Sequence, residues 1–147
     1  MSLEKQIDQD TIAAMKAGEK DKVTVLRGLK SEIKNRRIDK HDDLTDEEVI
    51  EVLSSAAKKR RESIEQFEKG GRDDLVQNEQ FGLAIIEAYL PEQMGEDEIR
   101  AIVKDAIEKT GADSPAKLGL VMKEVMPQVK GKADGKLVNK LAAQMLS

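Results

Sequence analysis

The chain has 147 residues, with 39% hydrophobic and 37% charged, a net charge of -4, and 2% aromatics with no Trp and no Cys. The lack of Cys excludes disulfides, thiolate metal ligands and a Cys nucleophile. No early apolar run resembles a secretory leader and no stretch approaches the ~20 apolar residues of a membrane span, so a soluble, cytoplasmic protein without membrane association is expected.

A core short of aromatics must be built from Leu, Ile, Val, Met and Ala, which suits helices better than a sandwich. The apolar spacing predicts seven helices and no strand. Ser2 can cap the first, with Leu3, Ile7, Ala14 and Met15 on one face and Gly18 at the stop. The second runs from about Asp21 to Ile38 on Leu26, Leu29 and Ile33, and "DKHDD" follows as a polar loop. Thr45 and Glu48 have capping-box spacing, with Leu44 and Val49 as its hydrophobic staple. A stripe of Val49, Val52, Leu53, Ala56, Ile64 and Phe67 then runs to Gly70-Gly71. The fourth helix uses Leu75, Phe81, Ile85, Ile86 and Tyr89 and ends before Pro91.

"LPEQMGED", Leu90 to Asp97, reads as a linker punctuated by Pro91 and Gly95. Beyond it, Ile99, Ile102, Val103, Ala106 and Ile107 form a fifth helix closed by Gly111. Ser114-Pro115 restarts the chain, and Leu118, Val121, Met122 and Val125 carry a sixth helix until Pro127. Asp134 can cap the last, which shows Leu137, Val138, Leu141 and Met145. The expectation is an all-α chain: a four-helix N-terminal domain over 1–90 and a three-helix C-terminal module over 91–147.

Charge is unevenly spread. Pro91 to Asp113 holds seven acids against Arg100, Lys104 and Lys109, whereas Ser114 to Ser147 holds six lysines against Glu124 and Asp134. The acidic average conceals a basic tail. Within it, Lys130, Gly131, Lys132 and Gly135 form a loop that feeds a helix start. Amides at such a start, flanked by flexible lysines and glycines, can hold an anion. Lys136, Asn139 and Lys140 recur at helical spacing on the side away from Leu137, Val138 and Leu141, a stripe able to follow phosphates. Asp134 competes, since its carboxylate could occupy the same terminus. An anion site and ordinary solubilising charge both fit these residues.

Lys58, Lys59, Arg60 and Arg61 make a second basic patch. Four consecutive residues fan around more than one helical turn, so a solvated surface with acids such as Glu62 and Glu65 alongside is the ordinary reading. Arg36 and Arg37 fit the carboxyl end of a helix. His41, the one histidine, lies beside Asp42 and Asp43, but neighbouring residues do not converge on one ion without a special loop. No phosphate-binding Gly-rich loop, GxSxG or HExxH occurs, and no complete active site is visible. No catalytic residue, metal or cofactor is assigned.

The stretches "LRGLKSEIKN", "KKRRESIEQFEKGGRDDL", "EAYLPEQM" and "GKADGKLVNKL" resemble the YqeY-like family, the stand-alone members of the GatB/YqeY group. The last of them, within "LGLVMKEVMPQVKGKADGKLVNKL", also resembles the tail of the B subunit of glutamyl-/aspartyl-tRNA amidotransferase, a module that contacts the tRNA elbow. The resemblance departs at "NEQFGLAI", where a further acidic residue is expected near Gly82. It implies a helical N-terminal domain and a tRNA-binding-like C-terminal module. It also implies a family label of amidotransferase-like carbon-nitrogen ligase, with glutamine as amido donor. The amidase belongs to another subunit of that enzyme, and the kinase-like site lies in a part of the B subunit that this chain lacks.

Three readings follow. The first is a non-catalytic accessory protein that binds tRNA or another structured RNA; lysines without aromatics suit backbone recognition better than stacking on single strands. The second is a partner or component of an amidotransferase-like system that acts through protein contacts. The third, an independent amidotransferase, has the least support in the residues.

Overall fold

The structure is a computed structural model and describes residues 2–147. Among the described residues it contains seven α-helices, one short 3-10 turn and no strand. The chain divides into two compact units, one ending at Leu90 and one spanning Pro91–Ser147.

The first unit holds α1 (Leu3–Ala17), α2 (Lys20–Lys40), α3 (Asp46–Lys69) and α4 (Asp73–Glu87). Ser2 Oγ accepts from the Lys5 amide at the start of α1, and Gly18 closes it with φ 73°. At the head of α3 the capping box forms: Thr45 Oγ1 accepts from the Glu48 amide, and Glu48 accepts from the Thr45 amide. The core joins Ile7 and Ala14 of α1, Leu26, Leu29 and Ile33 of α2, Val49, Leu53 and Ala57 of α3, and Ile86 of α4. Burying a side chain such as Leu26 or Leu53 stabilises by ~1.5–3 kcal/mol. Ala56 and Ala57 keep the middle of α3 slim where its neighbours pack.

Polar groups tie the unit's ends together. Asp46 accepts from the Leu3 amide at 3.0 Å. The Tyr89 hydroxyl, just past α4, donates to Asp10 of α1 at 2.5 Å. Burial, and then this bond to a carboxylate, push the Tyr89 phenol well above its ordinary value.

Two apolar residues assigned to the core side face water instead: Met15 is 52% exposed and Phe81 46%. Thr11 is buried in α1, its hydroxyl satisfied by the Ile7 carbonyl at 2.7 Å, and α4 turns Val76 and Gly82 inward. At Gly82 a side chain of α3 comes close. A Cβ there would lie 2.3 Å from the Arg60 guanidinium of α3, so the missing side chain makes room for that group. The ~1 kcal/mol cost of a mid-helix glycine accompanies this packing.

The second unit holds α5 (Glu96–Thr110), the 3-10 turn Pro115–Lys117, α6 (Leu118–Val129) and α7 (Gly135–Leu146). Its core is Ile99, Val103 and Ala106 of α5, Val121, Val125 and Val129 of α6, and Val138, Leu141, Ala142 and Leu146 of α7. Contrary to the expected stop, α6 passes through Pro127. The ring removes one donor near the end of the helix, and burial of Val129 beyond it offsets that loss. On α7, Met145 is 37% exposed and Leu146 is buried in its place.

Candidate nucleic-acid interface

The basic segment begins where α6 ends. Lys130 leaves the helix with an extended backbone, and Gly131 turns left-handed at φ 76°. That conformation costs a residue with a Cβ about 1–2 kcal/mol, so glycine fits the position. The Lys132 and Ala133 amides close the turn on the Val129 carbonyl at 2.8 and 3.0 Å. Asp134 then caps α7, its carboxylate accepting from the Lys136 amide at 3.2 Å. Of the two glycines, only Gly131 is required by backbone conformation. A Cβ at Gly135 would meet Met126 Cε at an ordinary 3.5 Å.

The turn is held from behind by the stretch read as a linker. Gln93 donates from Nε2 to the Gly131 carbonyl at 3.0 Å and to the Pro91 carbonyl at 2.8 Å. The Met94 amide donates to the Lys132 carbonyl at 2.8 Å. These contacts engage the loop's carbonyl oxygens, the groups that would repel a phosphate. Lys130, Lys132, Lys136, Asn139 and Lys140 are all exposed, while Val138 and Leu141 behind them are buried. Nothing in the local pattern of "LPEQMGED" announces Gln93 and Met94 as supports, because their partners lie 38 residues on in each case.

The second basic patch divides. Lys58 and Lys59 are exposed on α3. Arg60 pairs with Glu79 at 3.1 Å and Arg61 with Glu87 at 3.2 Å, so both reach across to α4. Their first role is to bind two helices together.

His41 does structural work. It takes a left-handed conformation, φ 63°, and its amide closes α2 on the Arg37 and Ile38 carbonyls. Among the described residues no three His, Cys, Asp or Glu side chains come together as a metal site. No described helix is long and apolar enough to cross a membrane.

These features define an all-α protein of two compact helical units, the second presenting lysines on a pinned turn and the helix after it. The chain belongs to the YqeY family, described as Yqey-like protein, which it matches over residues 4–146. Among curated proteins it is similar to "Altered inheritance of mitochondria protein 41, mitochondrial" from several fungi. The protein of that name in Eremothecium gossypii is 42% identical over 85 residues, 57% of this chain and 46% of the relative. Its counterpart in Pyrenophora tritici-repentis is 31% identical over 138 residues, 92% of this chain and 76% of the relative. The one in Lachancea thermotolerans is 33% identical over 130 residues, 86% and 68% of the two chains. The match to the Eremothecium protein thus spans about half of that relative's length.

The relatives' names overturn the expected cytoplasmic location, since they are mitochondrial proteins. That expectation rested on the lack of an apolar leader. Organelle targeting uses amphipathic, Arg-rich and acid-poor segments, which a search for apolar runs does not register.

Proposed function

We propose that the protein is a non-catalytic accessory factor that binds structured RNA, tRNA by class. Residues 91–147 serve as a tRNA-binding-like tail module and residues 1–90 as a separate four-helix domain. One observation carries this reading. Lys130, Lys132, Lys136, Asn139 and Lys140 are exposed on one loop and helix, and the loop's carbonyls are engaged from behind by Gln93 and Met94. Asp134 already occupies the amide of Lys136, so phosphates are held by lysine side chains and less by the helix terminus. The tail has no aromatic residue, which favours recognition of backbone and shape over base stacking.

The test is tRNA binding by the pure protein across a salt series. Changing Lys130, Lys132, Lys136 and Lys140 to Ala should weaken binding and make the salt slope shallower, by about one per lysine that contacts phosphate. Equal affinity and slope in the two proteins would refute the assignment.

A second reading has its own observation. Ile12 and Met15 of α1 and Phe81 of α4 are large, apolar and exposed in the first unit. Such residues fit a protein partner in an amidotransferase-like system. Co-purification that survives nuclease treatment and fails with Phe81→Ser would favour it.

A further inference from the structure

A second charged surface lies in the first unit, on helices other than the one that carries the tail lysines. The facing sides of α1 and α2 enclose an open groove of about 420 Å³. Its α2 wall carries Arg27, Lys30, Lys34 and Arg37, one cation per turn over ~15 Å at 1.5 Å per residue. Its α1 wall carries Glu4 and Asp8.

The four cations alternate in what they do. Lys30 pairs with Asp8 at 3.2 Å, and Arg37 pairs with Glu4 at 2.9 Å. These two pairs join the walls. Among the described residues neither Arg27 nor Lys34 has a carboxylate partner. Arg27 is engaged only by Met15 Sδ at 3.8 Å, a weak acceptor. Ser31 sits between these two on the same wall, one turn from each, and adds a hydroxyl. Two unpaired cations two turns apart, a hydroxyl between them and a concave wall braced by ion pairs form a receptor for an extended anion. Guanidinium binds phosphate in bidentate fashion and ammonium binds it as a point charge.

The geometry points to the α1–α2 groove as a binding site for a phosphate-bearing anion, with Arg27 and Lys34 as its primary contacts and Ser31 as an auxiliary donor. The phosphates come either from an RNA backbone or from the phosphate chain of a small molecule.

The experiment uses the full chain, isotope-labelled, with Lys130, Lys132, Lys136 and Lys140 changed to Ala so that tail binding does not contribute. Inorganic tripolyphosphate and a short RNA hairpin are titrated separately at low salt, and the amides of α1 and α2 are followed by NMR. Saturable shifts confined to the groove are expected with at least one probe. Arg27→Gln with Lys34→Gln should weaken that binding at least tenfold, and Lys34→Gln alone at least threefold. Lys16→Gln with Lys69→Gln removes the same charge from exposed positions outside the groove and should weaken it less than threefold. Unfolding midpoints verify that each variant is folded. Hairpin binding at least tenfold tighter than tripolyphosphate identifies the backbone as the source; any smaller preference identifies the small molecule. Failure of both probes to saturate, or an equal loss in the Lys16/Lys69 variant, overturns the proposal.

Discussion

At the head of α3, Thr45 and Glu48 exchange hydrogen bonds, and Lys40 donates to the same Glu48 carboxylate at 2.6 Å. The Lys40 hydrogen bond, and next the Thr45 amide, lower Glu48 from 4.5 to about 2. A depressed carboxylate stabilises the fold above its unfolded value, and that contribution is lost as pH falls through the folded one. The window is therefore from about 4.5 down to about 2. Lys40→Gln should flatten this part of the stability-versus-pH curve in urea denaturation by lowering stability near neutral pH, where the contribution is fully present, and leaving it little changed near pH 2. Thr45→Ala should cost about 1 kcal/mol at neutral pH. This site was legible from four letters, because capping is local and both partners lie within one turn. Gly82 was the opposite case. The Arg60 guanidinium, 22 positions earlier in the chain, rests where a Cβ would lie, and no local pattern records that approach.

Elements were legible wherever apolar spacing and caps agreed, as at α1, α3 and α5. What periodicity supplies is direction around a helix axis, not which neighbour covers a given turn. Met145 lies on the same arc of α7 as Val138 and Leu141, yet it is 37% exposed and Leu146 only 7%. Phe81 and Met15 went astray for the same reason. Leu146→Ala should therefore destabilise by about 2 kcal/mol, whereas Met145→Ala should stay within about 0.5 kcal/mol, both measured by chemical denaturation. The reverse order would mean that α7 is rotated from the packing described. Pro127 shows another limit. Proline is a strong local stop, but the burial of Val125 and Val129 on either side of it offsets the missing donor.

At the scale of the molecule, each hydrophobic cluster is drawn from its own span of chain: Ile7 to Ile86 in one, Ile99 to Leu146 in the other. Leu53→Ala, which opens the first core, should speed amide hydrogen exchange across α1–α4 and leave the protected amides of α5–α7 at their original rates. A uniform increase along the chain would mean that the two cores melt as one. The candidate interface was half legible. The lysines and Asn139 stand out by charge and spacing, but Gln93 and Met94, which hold the loop, are non-local. The groove between α1 and α2 was hidden, because its stripe runs along a helix whose last turn reads as ordinary end-charge. The hydrogen bond from Tyr89 to Asp10 ties the one phenol of the chain to the first unit. Tyr89, the only tyrosine, and both phenylalanines, Phe67 and Phe81, precede Leu90, and there is no tryptophan. Near-ultraviolet absorbance, fluorescence and aromatic dichroism therefore have all their reporters within residues 1–90. A melt followed at the phenol would report on the first unit, and an optical titration with RNA would have no aromatic reporter among the lysines where contact is proposed. A tryptophan introduced at the exposed Leu120 would give that half of the protein its first optical reporter.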